Sequence, residues 1–396
     1  MTVARKARAT GCARAVRLTR TAVVGAVAAA AAALFTAAPA ASAASPAGSG
    51  SHAGGAPVFV QSDNTAANTV VVYHRAADGT LSQSGVYGTG GRGGVLAGSQ
   101  VDHLASQGSL AYNRNSHLLY AVNAGSNTVT VFAVRGDHLQ RLQVIASGGT
   151  FPVSIAFHGS QVYVLNALGG GSVQGFVQFG DHLVSVPSWN RTLGLDPSGT
   201  PQFTHTPGQI SFTPDGSKLV VTTKAAANSI DVFPIGLFGA PAAHPVVTSA
   251  PGAVPFGFAF DPAGRLQVTE AGPNAVATYT VARDGRLAKT GETATGQQAT
   301  CWLVATRDRL YASNAGSGSL SGFRVGKDGA LTSLGNTATH AGTVDAAASS
   351  NGRYVYAQTG AAGIVDAFRV GAGGSLTAVG SVTVPGGVGG EGIAAG

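Results

Sequence analysis

The sequence predicts an all-β protein, a seven-bladed β-propeller of four-stranded antiparallel blades, and three observations carry that reading. One phrase recurs with variations: a short apolar run, a Tyr- or Val-rich run, Asn-Ala-Gly-Ser, then a second β-like run. The clearest copies are LLYAVNAGSNTVTVFAV (118–134) and RLYASNAGSGSLSGFRV (309–325), with weaker ones at 161–179, 218–235, 265–281 and 353–370. Self-similarity at a spacing of roughly 40–55 residues marks a propeller or solenoid. Helical periodicity is absent beyond the first 43 residues. The two chain ends carry complementary halves of one further unit.

Residues 1–43 read as a secretory signal peptide. Arg5, Lys6, Arg8, Arg14, Arg17 and Arg20 precede an Ala/Val-rich run that ends at Ala41-Ser42-Ala43, a small-residue cleavage site. Residues 44–56 are small and polar and read as a disordered leader, and 57–396 as the propeller. The expected location is secreted, with no membrane association after cleavage, as a monomer.

Removing the signal changes the charge argument. The chain has 24 Lys and Arg against 17 Asp and Glu; six of the basic residues and none of the acidic ones precede Ala44, leaving 18 against 17. The high pI belongs to the leader, so nucleic acid is excluded as a partner for want of a basic domain. Cys12 also goes, so Cys301 stands alone and no internal disulfide is available.

Each unit reads as strands A to D. Strands A are expected at 108–112, 152–157, 208–212, 256–260, 300–304 and 343–348. In the unit after Thr206, Lys218–Thr223 is strand B, Ser229–Pro234 is strand C, and strand D is indistinct. Strands C and D elsewhere meet at Gly-containing turns such as Asp78-Gly79, Asp284-Gly285 and Asp328-Gly329, the strongest short hairpin signal. Residues 57–75 supply B and C without an A, while Gly390 to Ala395 resembles an A without a B. Joining the two closes a ring of seven and removes its open sheet edge.

In such a ring the ends of strands B and the starts of strands A surround one mouth of the central channel. The B ends bring Asp63, Asn123, Lys224, Glu270 and Asn314; the A starts bring Gln209, Phe256, Cys301, Trp302, Asp345 and Glu391. Asp63, Glu270, Asp345 and Glu391 are expected to converge there, with Lys224 beside them. Convergent polar groups at a concavity make the default ligand site. Bland readings stand beside these. Asn123 and Asn314 suit B–C turns, where Asn tolerates positive φ. Cys301 suits a small buried hydrophobe, and Trp302 either core packing or a stacking wall.

The glycine-rich GTGGRGG (88–94) lacks a Gly-Lys-Ser/Thr ending and reads as a D–A connection, from which Arg92 could reach an anion. The histidines show no HxH or HExxH spacing and no Asp-x-Asp-x-Asp loop occurs, so no metal and no cofactor is expected. No Gly-x-Ser-x-Gly elbow is present.

AVNAGSNTVTVF (121–132), GGTFPVSIAFHG (148–159), ISFTPDGSKLVV (210–221), PFGFAFDPAGRL (255–266) and SNAGSGSLSGF (313–323) resemble the seven-bladed propeller lactonase family, which includes propeller-type 6-phosphogluconolactonases and carboxymuconate cyclases. The resemblance spans nearly all of the chain after the leader. It implies a metal-independent lactone hydrolase that uses a His and a Glu at the channel mouth, with Arg residues holding substrate. Glu270 falls at the family's acidic position and is the candidate base. Gln209 stands at the expected His, Phe256 where an Arg is expected, and Thr300-Cys301-Trp302 replaces another Arg-containing start. Two readings follow: a lactonase-like hydrolase of a small lactone or sugar-acid lactone, with Glu270 as base and Lys224 or Arg92 holding an anion, or a non-catalytic propeller that binds a small molecule, a cell-wall component or a protein.

Overall fold

The computed structural model describes residues 56–396, so the expected signal peptide and all of the leader but Ala56 lie outside the described residues. The rest forms seven antiparallel sheets, six of four strands and one of five. Strands A run Leu110–Asn113, Pro152–His158, Gln209–Phe212, Pro255–Phe260, Thr300–Thr306 and Thr343–Ala348 in blades 2 to 7, within two residues of the expected starts. Blade 1 takes its inner strand from the C-terminus. Ile393–Ala395 pairs antiparallel with Val58–Gln61, with Val58 opposite Ala395 and Val60 opposite Ile393. The Gly396 amide donates to the Pro57 carbonyl at 2.8 Å and completes the seam.

The expected strand D of blade 4 is Val246–Ser249. Its sequence signal is masked by Gly236 to Pro245, which folds as a detour with a single bridge between Ile235 and Pro241. In blade 3 a short extra strand, Arg191–Thr192, pairs with strand C. The helical elements among the described residues are four one-turn 3-10 segments.

Burial grades outward along each blade. Leu118–Asn123, a strand B, is buried at every position, whereas Leu287–Ala294, a strand D, is largely exposed. Strands B are sandwiched by neighbouring blades on both faces, which is why they read as continuous apolar runs. Each fully buried Val or Leu contributes about 1.5–3 kcal/mol.

The recurring phrase has a mechanical meaning. Its Tyr reaches from strand B to the C–D side of the next blade. The Tyr120 hydroxyl donates to Gln178 Oε1 at 2.9 Å, Tyr311 to the Gly374 carbonyl at 2.8 Å, and Tyr356 to the Gly79 carbonyl at 3.2 Å. Gly79 has φ +95°, and a Cβ there would lie 2.2 Å from the Tyr354 ring, so both backbone and space require glycine.

The Asn that closes the B–C turn ties blades together on the opposite face. Asn127 Oδ1 accepts from the Phe151 amide (2.8 Å), Asn228 Oδ1 from Val254 (3.1 Å) and Asn274 Oδ1 from Thr300 (3.1 Å). Phe151, Val254 and Ala299 all have φ between 50° and 63°, an uncommon backbone for non-glycine residues. These side-chain bonds hold the chain there as it enters strand A.

Candidate functional site

The connection from strand D of blade 1 to strand A of blade 2 is long, and it does not stay on the rim. From Leu96 to Gln107 it crosses the mouth of the channel as a plug. Its contacts reach most of the ring. The His103 amide donates to the Gly389 carbonyl at 2.8 Å. Ser106 Oγ donates to the Val153 carbonyl at 2.9 Å, and the Gln107 amide to the Gly208 carbonyl at 3.0 Å. The Gln107 side chain imitates a strand: Nε2 donates to the Leu303 carbonyl at 2.7 Å and Oε1 accepts the Leu303 amide at 2.9 Å. A Cβ on Gly257 would lie 2.1 Å from Gln107 Oε1, so glycine is what lets the plug pass blade 5.

Between the plug and blades 5 and 6 lies a pocket of about 150 Å³. Val101, Phe203, Phe256, Cys301, Trp302 and Ala315 provide its apolar walls, and Gln100 lies on its rim. Phe256 and Trp302, the most buried of these, form the floor with ring centroids 5.0 Å apart at 58°. The indole N–H of Trp302 donates to the Ser106 carbonyl at 2.6 Å, so the ring faces the pocket with its polar atom engaged elsewhere.

The charged groups around the pocket are committed. Asp102 accepts from the Leu104 and Ser106 amides at 2.8 and 2.9 Å and thereby shapes the plug. Burial pushes its carboxyl up to about 7. Lys224 is buried at the end of strand B of blade 4. Its Nζ donates to the Ala105 carbonyl (2.5 Å), the Phe203 carbonyl (2.7 Å) and Thr206 Oγ1 (2.9 Å). Burial pulls Lys224 down to about 7, while Asp102 draws it back up. Three acceptors call for three N–H groups, which the ammonium supplies. Lys224 therefore pins the plug. Cys301 is pushed up to about 12 by burial, so it is a thiol at neutral pH.

Beneath the plug three of the four expected acids do come together. The Glu391 amide donates to Asp63 Oδ2 at 2.7 Å, Glu391 Oε1 accepts the Gly108 amide at 2.9 Å, and Asp345 shares a hydrogen bond with Glu391. Burial raises Asp63 to about 7 and Asp345 to about 6. It raises Glu391 as well, with Asp345, Asp102 and Asp63 adding to the effect. The fourth member is Asp102 of the plug, not Glu270. Among the described residues no group of three or more His, Cys, Asp or Glu is arranged to hold a metal.

Glu270 lies between blades 4 and 5, on the sheet face that packs toward Val220 and Val232, and is 1% exposed. It accepts from the Tyr279 hydroxyl at 2.7 Å and from Lys289 Nζ at 2.9 Å. This departs from the expected convergence with Lys224. The reason is register: Glu270 pairs with Ala275 and so shares a sheet face with Tyr279 and Lys289, which reach it from strands C and D.

The other expected residues divide. Gln209 is buried and its Oε1 accepts the Phe258 amide at 2.6 Å, joining blades 4 and 5. Arg92 is exposed on the rim, its amide donating to Ser126 Oγ and its carbonyl accepting from Gly125. Asn123 and Asn314 are the buried last residues of strands B rather than turn residues with positive φ, and they bond to Thr130 Oγ1 and Ser321 Oγ at 2.9 Å each. Cys301 and Trp302 line the pocket, with Lys224 just behind it. Sequence reasoning missed Asp102, Gln107 and Phe203. The signal was there in part: the Gly88-to-Ser109 connection is far longer than the five residues at Ser147 to Phe151, and extra length at a channel mouth is a place to look for function.

Residues 267–391 match the family model described as lactonase, 7-bladed beta-propeller. Among curated proteins there is no match. Among solved structures, a periplasmic gluconolactonase of Pseudomonas aeruginosa is similar over 85% of this chain and 98% of its own, at 17% identity and TM-score 0.66. A Bacteroides fragilis protein described provisionally as a 6-phosphogluconolactonase covers 86% and 98%, at 18% identity and TM-score 0.65. A virginiamycin B lyase of Staphylococcus aureus is more distant, covering 72% and 88% at 12% identity and TM-score 0.52. At such identities the likeness is one of fold.

Proposed function

We propose that this lactonase-like seven-bladed propeller is a secreted, monomeric small-molecule binder that uses the pocket at its channel mouth, and that Glu270 is a structural carboxylate. The observation that carries this reading is the position of Glu270, buried between blades and held by Lys289 and Tyr279. A general base must come within about 2.6–3.2 Å of the proton it takes. Of the other groups lining the pocket, Asp102 is tied to the plug by the Leu104 and Ser106 amides and Cys301 is a thiol. Secretion is supported by the basic, apolar and small-residue succession at residues 1–43.

The alternative, a metal-independent hydrolase of a small lactone, is favoured by the family match over 267–391. Protein beginning at Ala44, assayed by pH-stat on a panel of neutral and sugar-acid lactones, separates the two. We expect no turnover above buffer. Turnover that Glu270→Gln abolishes, in a variant with unchanged melting temperature, would restore the hydrolase with Glu270 as its base.

A further inference from the structure

We propose that the mouth pocket takes a small uncharged aromatic ring, seated on Phe256 and Trp302 beneath the plug. The inference rests on the reading that the mouth binds a small molecule, and it names the chemical class.

Size comes first. A cavity of about 150 Å³ is the size that holds one benzene-like ring in a protein interior. A disaccharide or a peptide exceeds that volume.

The wall chemistry comes second. Phe256, Trp302 and Val344 form an apolar cluster of their own, with Val101, Cys301 and Ala315 packed against it. This cluster is separate from the blade cores, and the pocket opens onto it. The Phe256 and Trp302 rings are tilted at 58°. A third ring laid on them can make offset or edge contacts, the geometry that aromatic quadrupoles prefer. Phe203 closes the side from the approach to blade 4.

The third observation decides against an anion. The charged groups next to the pocket, and the Trp302 N–H, are already engaged by the protein. Lys224 spends its three N–H groups on Ala105, Phe203 and Thr206. Asp102 accepts two amides, and the Trp302 N–H is given to Ser106. A carboxylate or phosphate entering here would lose its water and gain no free cation in exchange, which is strongly unfavourable. A neutral ring loses little. The exposed Gln100 at the rim can meet one hydroxyl or carbonyl substituent without reaching into the apolar part.

The test uses protein beginning at Ala44. Trp189 and Trp302 are the two tryptophans of the chain, so Trp189→Phe makes Trp302 the sole reporter, and calorimetry on the unsubstituted protein runs in parallel. The probes are p-cresol and dihydrocoumarin as neutral aromatics, with gluconate and glucono-δ-lactone as the polar comparison. We expect saturable binding of both aromatics by calorimetry, a matching change in Trp302 emission, and no binding of gluconate. Ala315→Phe fills the pocket and is expected to weaken the aromatics at least about tenfold with an unchanged melting temperature. Phe203→Ala, which opens the side wall, is a second variant expected to weaken binding.

Binding of gluconate or glucono-δ-lactone without the aromatics would overturn this inference and leave the small-molecule reading standing. Aromatic binding that ignores both variants would place the ring elsewhere and equally overturn it. Failure of all four probes would count against both.

Discussion

The indole N–H of Trp302, on the inner strand of blade 6, donates to the backbone carbonyl of Ser106, in the plug, across 196 residues of chain at 2.6 Å. This bond and the Gln107–Leu303 pair beside it fasten the plug to blade 6. Trp302→Phe keeps an aromatic floor but removes the donor and part of the ring, leaving the Ser106 carbonyl without that partner. A buried group left unsatisfied costs about 1–3 kcal/mol. We expect the urea midpoint to fall accordingly while the denaturant slope is unchanged, because the surface exposed on unfolding is the same.

The buried acids predict a pH dependence with a definite sign. Asp63 and Asp102 are raised to about 7 and Asp345 to about 6, all chiefly by burial, and Glu391 is raised as well. Unfolded carboxyls titrate near 4. The folded state therefore keeps protons that the unfolded state has released, so their contribution is full below about pH 4 and is lost as pH rises through about 6–7. Lys224 is protonated in both states over most of that window. Unfolding free energy is expected to decline between about pH 4 and about pH 7, and Asp345→Asn to flatten the decline. A stability profile that rises across this window would refute the arrangement.

Cys301 predicts slow thiol chemistry. Burial holds it at about 12, so its thiolate population at neutral pH is on the order of a thousandfold below that of an ordinary cysteine near 8.5. Iodoacetamide labelling of native protein, followed by intact mass, should lag far behind labelling in urea. Dihydrocoumarin in the pocket should slow it further, since Cys301 is part of the wall. Labelling as fast as that of a free thiol would contradict the burial.

The repeat made the ring legible. Tyr120, Tyr311 and Tyr356 occupy matching places in the phrase because each ties one blade to the next, and Asn127 recurs as Asn228 and Asn274 for the same reason. Asp63, Asp345 and Glu391 could be brought together from strand position alone, since a strand's start or end fixes which mouth a residue faces. Glu270 could not be placed that way. Position puts it near the mouth, but its side chain points along the blade face, where Tyr279 and Lys289 reach it from other strands. Trp302 was legible as a residue at the mouth and illegible as a floor, because its partners Phe256 and Ser106 arrive from other segments.

What the sequence by itself determined is the fold: seven units, four strands each, and closure of the first by the last, because local hairpin chemistry and a repeated buried pattern leave one way to hide every inner edge. What only the tertiary structure decided is the mouth. The Leu96 to Gln107 segment carries no repeat signal, and its path depends on long-range bonds to Val153, Gly208, Lys224, Trp302, Leu303 and Gly389. A single plug crossing those blades turns an acid-lined opening into an apolar pocket over a buried acid cluster, and no pattern along one strand encodes contacts that arrive from several segments.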